Sequence, residues 1–591
     1  FQQLGEHTAA QMETASVSEL LLVLAGSPIV KDPRSFLRTR VLSPPDMRRV
    51  EEAYALLVEM GAVDGRFAPT AFGRLLQKLT VEPEVGLLVW SGLRFEALEE
   101  CEVLAGVVQR GIPFLQDSSF SPQEVRQLID VRSTCWPDSD LLAGLRAYQA
   151  WQAFLGTQPA PTAAEEAAWC WYHYLSLTVL QEIQEMRFQI RSAVAELGWV
   201  PKLSDQEQKR ASARRTEHLR RQASGSGASQ TALASDPATS LIGIIGRASE
   251  DRRSKLARWC IALAFLPNLV EVTGVADAKV YYKCKRRWAS QLVGCLRDNF
   301  RLQLQGAPVP GQHGDTRVTF ASPSEAQRAV QMGNVAAGQL FPYNKSPELA
   351  SRHSLKPFQC YSSAQMILAS DSVCAPVTDL PAALVGASVL LVEGKKSAHF
   401  VSSQLTAFPM PLLAPLLAMR ANGGLCGGEA TAVLRGQQER RALDPRCFQP
   451  LARLRELAGV DGRNAGESAG VIINRSTEAA ELVLQLMRIA EETAREERQP
   501  PPMTKELTQV PTSMHGKLIG KGGSNIRAIQ QAHPDVRITI PRASEGGHVR
   551  IEGPRDKVLN AERAVLSSLG LDDGFEGIRG LDALLGGLRF R

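Results

Sequence analysis

Near the C-terminus, Leu518-Ile519-Gly520-Lys521-Gly522-Gly523-Ser524-Asn525-Ile526-Arg527-Ala528-Ile529 sets a Gly-x-x-Gly loop between two apolar helical turns. Such a loop can hold single-stranded nucleic acid. Bare backbone comes within hydrogen-bonding distance of sugar and phosphate, where a Cβ would obstruct it. Lys521 puts a positive charge at the tip, Ser524 follows the glycines, and Arg527 adds charge one turn on. The same glycines do not make a nucleotide-binding P-loop, G-x-x-x-x-G-K-[ST]. Gly516 to Gly520 is too short for it, and Gly522 follows the lysine; Gly394-Lys395-Lys396-Ser397 lacks the upstream glycine.

The flanking patterns supply elements to hold the loop. Thr504 to Val510 suits a strand, and Pro511 to Leu518 a short helix leading into the glycines. Ile526 and Ile529 fall on one face of a second helix ending near His533-Pro534. Val536-Arg537-Ile538-Thr539-Ile540 and Val549-Arg550-Ile551 alternate as half-buried strands do, with Gly546-Gly547 between them. A closing helix from Pro554 sets Val558, Ala561 and Val565 inward. This βααββα order over 503–570 resembles a type I KH domain, and the resemblance implies a groove for about four nucleotides walled by Ile519, Ile526 and Ile538. A glycine-rich turn in an unrelated αβ domain is the plainer alternative.

The 591 residues imply several domains, roughly four or five. A net charge of only +5 means that any grip on nucleic acid must come from local patches. Ten cysteines include no C-x-x-C pair, and the histidines complete no zinc site. Buried thiols in a reducing, intracellular compartment, nucleus or cytoplasm, follow from that usage. No run of about eighteen apolar residues exists to cross a membrane, so no membrane partner is expected. Without a secretory signal, and beginning at Phe1 instead of Met, the sequence reads as the C-terminal part of something longer. No Ser/His/Asp or paired-carboxylate constellation stands out. Glu491, Glu492, Glu496 and Glu497 crowd a helix end beside arginines, as a solvated face does. No catalytic residue, metal ligand or cofactor is expected within the chain.

A second pattern occupies residues 16–85. Val17 to Ala25 is an apolar helix, and Leu42-Ser43-Pro44-Pro45-Asp46 precedes a helix from Met47 to Met60 with Ala53, Leu56, Leu57 and Met60 inward. Ala62 to Phe67 reads as a tight turn between short strands, and a further helix follows from Pro69. Helices followed by a small hairpin suggest a winged helix. Pro44-Pro45-Asp46, Met60-Gly61-Ala62-Val63-Asp64, Thr70-x-x-Gly73-Arg74-Leu75-Leu76 and Val81-Glu82-Pro83 resemble the winged-helix domain of DEAH/DExH-box RNA helicases. Phe1-Gln2-Gln3-Leu4 is similar to the segment just beyond that family's last motor motif, making 1–15 the tail of a motor domain.

The resemblance continues over 86–200. Leu87 to Val108 is apolar and helical; Ser139-Asp140-Leu141-Leu142 leads a helix through Tyr148 and Trp151; Trp169-Cys170-Trp171-Tyr172 begins a long one reaching Ile190. It implies the ratchet-like helical bundle that in these helicases lies along the RNA exit path. Trp169, Trp171 and Tyr174 read as core aromatics in preference to base-stacking ones. Arg187 and Arg191, one turn apart, are RNA-contact candidates, with surface solvation as the plainer reading. Residues 201–240 read as a disordered linker, basic over Lys209 to Arg221 and then Ser-rich.

Residues 241–470 are expected to be OB-like or mixed αβ. Cys260 to Leu269 is similar to the helicase segment entering the OB-fold, although Leu263-Ala264 replace a common glycine. Lys283-Cys284-Lys285-Arg286-Arg287-Trp288 interleaves basic residues with an aromatic, which suits nucleic acid. Lys285, Arg286 and Arg287 are therefore candidates. Arg317 to Ala326 looks like the last strand and helix of an RRM, but the matching aromatic strand is not evident, so a coincidental strand-helix is the reading. Ala387 to Glu393 reads as a buried strand. Ser476 to Arg498 is amphipathic with Leu482, Leu486 and Ile489 inward; with Pro500-Pro501-Pro502 it makes 471–502 a helix and spacer. A flexible tail occupies 571–591.

The fold class expected is thus multidomain α+β: winged helix and helical bundle, an OB-like or mixed αβ region, then the KH βααββα domain. The resemblance implies RNA binding by the C-terminal region of a DEAH/DExH-like RNA helicase. Single-stranded RNA is the partner, RecA-like motor domains stand upstream in cis, and ATP and magnesium are needed only by that motor. The alternative is a motorless KH-containing adaptor or scaffold. Whether the chain belongs to an enzyme stays open at this point.

Overall fold

The computed structural model describes residues 17–41, 44–79, 81–115, 122–202, 250–272, 279–282, 286–310, 316–321, 349–351, 355–357, 365–369, 372–374, 382–393, 398–420, 422–434, 437–459, 474–498, 503–533, 535–541, 547–553 and 555–569, with isolated positions between them. The chain divides into two compact units, Phe1–Ala490 and Glu491–Arg591.

The first unit opens with α1 (Val17–Ala25), α2 (Pro33–Thr39), α3 (Met47–Glu59) and α4 (Ala71–Lys78). Polar side chains start three of them by accepting a backbone N–H that the helix leaves unpaired: Asp32 from Arg34, Asp46 from Arg48, Thr70 from Gly73. Val50, Ala53 and Leu57 form the buried stripe of α3, whereas Leu56 is only half-buried. The expected hairpin between α3 and α4 reduces to a single antiparallel bridge, Val63 to Pro69.

Six further helices form a bundle: α5 (Pro83–Arg94), α6 (Leu98–Arg110), α7 (Pro122–Cys135), α8 (Asp140–Leu155), α9 (Ala163–Tyr172) and α10 (Leu177–Glu196). Two stretches expected as single helices are each split at a residue with positive φ, Glu96 (54°) and Tyr174 (57°). Trp169 is core, stacked on Phe154 at 4.7 Å, but Trp171 is 53% exposed and so is not the core aromatic expected. In the stretch read as a disordered linker, Lys209, Ser212, Ala213, Thr216 and Arg220 are helical.

After α11 (Arg252–Ala264) the chain enters strand β1 (Leu269–Val272). It then leaves to build β2 (Lys279–Tyr282), α12 (Arg286–Phe300), β3 (Val309–Pro310), β4 (Thr316–Thr319) and β5 (Leu349–Ser351). It returns through β6 (Leu355–Pro357), β7 (Gln365–Leu368), β8 (Ala382–Glu393) and β9 (Ala398–Phe408). Two sheets result, one in the order β6-β1-β8-β9-β7 and an inserted one in the order β3-β4-β2-β5. Only β7–β9 is parallel in the first. The strand expected to be buried over 387–393 is the outer half of β8, where Leu390 and Leu391 are 60% and 50% exposed.

The unit closes with α13 (Leu413–Met419), a sheet of β10 (Gly424–Cys426), β11 (Glu429–Leu434) and β12 (Gln437–Ala442), α14 (Phe448–Leu457) and α15 (Ser476–Arg498). Ala480, Val483, Leu486 and Ala490 of α15 join the same core as the bundle, so this helix is part of the first unit's packing and not merely a spacer. Buried arginines brace distant segments. Arg420 donates to the Leu263 carbonyl and to Glu59, both at 3.2 Å, and Arg94 to the Ala458 carbonyl at 2.8 Å. A guanidinium suits this role because its planar fork serves several acceptors at once.

The second unit has its own core of Leu507, Val510, Leu518, Ile529, Ile538, Ile551, Val558, Val565 and their neighbours. Its elements are β13 (Met503–Leu507), α16 (His515–Ile519), α17 (Ser524–Ala532), β14 (Arg537–Thr539), β15 (Val549–Gly553) and α18 (Arg555–Leu569). The antiparallel sheet runs β13-β15-β14.

Candidate nucleic-acid interface

Helix α16 ends at Gly520, whose φ of 71° and ψ of 174° only glycine adopts without strain. Gly522 (φ 61°) and Gly523 (φ 81°) also lie in the positive-φ region, so the chain reverses within the loop before α17 begins. The Gly523 N–H donates to the Gly520 carbonyl at 3.1 Å, and the Asn525 amide to the Lys517 carbonyl at 3.2 Å. These bonds fix the loop from inside. A Cβ at Gly522 would meet no protein atom within 4 Å, so its outer side is open to a ligand.

Lys521 and Ser524 are exposed on this loop, and Ile519 beside it is 39% exposed. The Arg527 guanidinium folds back and donates to the Gly522 carbonyl, so its charge stands at the loop while it also holds it. Ile526 packs partly buried against the core. Ile538 does not wall the groove as expected. It is 6% exposed, because its place in β14 turns it into the core opposite Ile551. Ile540, two residues on and so on the same side of the strand, packs partly buried against the same core.

The arginines proposed on the bundle have a different fate. Arg191 makes two hydrogen bonds to Glu102, one of them 3.0 Å, and Arg187 lies 3.6 Å from the same carboxylate. Glu102 is fully buried, and burial pushes its carboxyl pKa up against the pull of both arginines. Structure assigns this pair to neutralising a buried carboxylate, which removes them as free contacts for phosphate. Arg286 and Arg287 begin α12; Lys285 lies outside the described residues. Among the described residues, no group of three or more His, Cys, Asp or Glu could hold a metal ion, and no helix is long and apolar enough to cross a membrane.

The loop, the two helices it joins and the three-stranded sheet coincide with a match to the KH profile over 504–567. Residues 504–567 are a KH domain. The N-terminal part of the chain is homologous to DExH-box ATP-dependent RNA helicases. It is similar to the ATP-dependent RNA helicase TDRD9 of Mus musculus, 28% identical over 204 residues, 30% of this chain and 14% of that protein. The DExH-box ATP-dependent RNA helicase DExH1 of Arabidopsis thaliana is 29% identical over 170 residues, 28% of this chain and 16% of the relative. RNA editing associated helicase 2 of Trypanosoma brucei brucei is 26% identical over 203 residues, covering 34% and 9%. The match thus spans well under a quarter of each relative's length.

Proposed function

We propose that this chain grips single-stranded RNA through the KH loop, as the C-terminal accessory region of a DExH-type ATP-dependent RNA helicase. The observation that carries the reading is the loop itself: three glycines at positive φ, an open outer side at Gly522, and the exposed Lys521. Backbone at Gly520 to Gly523 would approach the sugar-phosphate, with Lys521 and Arg527 supplying charge and Ile519 and Ile526 the apolar wall. The similarity to RNA helicases favours this reading over a motorless adaptor. ATP and magnesium enter only through RecA-like motor domains upstream in cis.

Residues 16–85 read as a winged helix, supported by α1 to α4 and the Val63–Pro69 bridge as a minimal wing. The bundle over 86–200 reads as the ratchet-like element, and the five-stranded sheet within 241–470 as the OB-like one.

The test is Lys521→Asp with Gly522→Asp in a 503–570 fragment, which holds the KH core. Gly522 has room for the new side chain, and aspartate tolerates its φ of 61°. Affinity for a single-stranded oligonucleotide, read by fluorescence anisotropy, should fall at least about a hundredfold, as loss of two charge-assisted contacts implies. An unaltered circular dichroism spectrum with unaltered affinity would remove the KH reading.

A further inference from the structure

Helix α10 carries an outward stripe that a later part of the chain meets. Gln184, Glu185, Phe188, Ser192 and Glu196 recur every three or four residues, on the side away from the buried Ile183, Ile190 and Val194. With Lys78 of α4 and Ser212, they line a cleft of about 450 Å³. Phe188 is half-buried there, and Lys78 pairs with Glu196 at 3.4 Å. Two carboxylates, Glu185 and Glu196, thus stand against one ammonium among the described residues of the cleft.

Ser212 itself is exposed and helical, and its carbonyl accepts the Thr216 hydroxyl at 2.9 Å one turn on. Its place in the sequence is cationic. Lys209 and Arg210 precede it, Arg214 and Arg215 follow, and no carboxylate falls between Gln208 and Thr216. Lys209 is exposed as well. Cations three and two residues before a serine suit the carboxylates with which a basophilic protein kinase holds its substrate. That pattern is read along the chain, so it needs only the sequence order. Arg252-Arg253-Ser254 offers a comparable run, but Ser254 is only 9% exposed within α11 and out of a kinase's reach.

We propose that Ser212 is a phosphorylation site whose modification drives it out of the α10 cleft. A basophilic Ser/Thr kinase transfers the γ-phosphoryl group of ATP. The Ser212 Oγ–P bond forms, the bond to the β-phosphate oxygen breaks, ADP leaves, and the hydroxyl proton passes to the kinase's catalytic carboxylate. A neutral hydroxyl is thereby replaced by a group of charge near about −2. It shares the cleft with Glu185 and Glu196, whose single ammonium neighbour already serves Glu196. Like-charge repulsion then moves Ser212 away and opens the stripe of Gln184, Phe188 and Ser192 to solvent. Ser212 belongs to the first unit, and its modification needs no RNA.

The test incubates the full chain with magnesium-ATP and the catalytic subunit of cyclic-AMP-dependent protein kinase. Mass spectrometry places the phosphate, and hydrogen exchange is followed in peptides from 177–196 and 209–220. Phosphate should appear on Ser212, be absent there in Ser212→Ala, and arrive about tenfold or more slowly in Lys209→Ala/Arg210→Ala. Phosphorylation should speed exchange in both peptides about fivefold. Glu185→Gln/Glu196→Gln should accept phosphate at the same rate and show a smaller rise in exchange. Phosphate confined to other residues, Ser224 after Arg220-Arg221 among them, would overturn the proposal. So would full phosphorylation of Ser212 with exchange unmoved, or a rise that the two glutamines leave undiminished.

Discussion

The loop glycines do different work, and single substitutions should separate them. An alanine at Gly520 would need a backbone region that is essentially glycine's own, and its Cβ would stand 2.9 Å from Asn525 Cγ. Gly520→Ala should therefore destabilise the KH domain by about 1–3 kcal/mol. Gly522→Ala, at φ 61° with open space around it, should cost about 1 kcal/mol of stability yet weaken RNA binding, since its new methyl lies where a phosphate would approach. Thermal melts and anisotropy on the two variants check this; equal losses of stability would refute the division. This much was legible because the chemistry of the loop is local: glycines, a lysine and apolar turns sit within a dozen residues. The fate of Arg187 and Arg191 was not. Their partner, Glu102, lies 89 residues before Arg191, and no helical periodicity announces a carboxylate in the core.

Between elements, the decisive contact is the turn that starts α8. Asp140 accepts backbone N–H groups from Val373 at 2.8 Å and Leu405 at 2.9 Å, a bond from the Ser372 hydroxyl, and faces Arg132 at 3.4 Å. Ser139 pairs with Thr406 at 2.8 Å, and Arg258 with Asp138 at 2.9 Å. Gln404, with φ 53°, interrupts the β8–β9 register just before these donors. The bundle and the five-stranded sheet are thus joined by polar bonds from this turn. The sequence shows Ser139-Asp140 as a helix start but not its partners, 233 and 265 residues away. Asp140→Ala would orphan three donors and a buried arginine, and should lower the first unit's stability by about 3–5 kcal/mol. Burial raises the Asp140 pKa in spite of Arg132 and these bonds. The folded state then holds its proton more tightly than the unfolded one. Its protonation-linked stability is full below the ordinary carboxylate pKa and is lost as pH rises through the raised value. The gap in melting temperature between the unaltered chain and Asp140→Asn should accordingly narrow as pH climbs through that window; a widening gap would contradict the burial.

At the scale of the whole chain, a net charge of +5 spread over 591 residues gives no general attraction for RNA, so binding must show the salt signature of discrete contacts. Each phosphate neutralised on a single strand contributes about −0.7 to the slope of log affinity against log salt. A KH fragment holding about four nucleotides meets about three phosphates, and its slope should lie near −2. The full chain carries that loop, and under the proposed function its helicase-like N-terminal part would also contact the strand. Joined in one polypeptide, the second contact forms at high effective concentration once the first is made. On a strand of about twenty nucleotides, the full chain should therefore show a slope near −4 and a tighter hold than the fragment at every salt concentration. Titrations at several salt concentrations on both proteins decide the matter. Equal slopes would confine phosphate contact to the KH loop, and a slope near zero for the full chain would mean that neither surface is built for RNA. The steep slope follows from the charge balance itself: local positive contacts, and not a global field, serve a polyanion in a protein almost neutral overall.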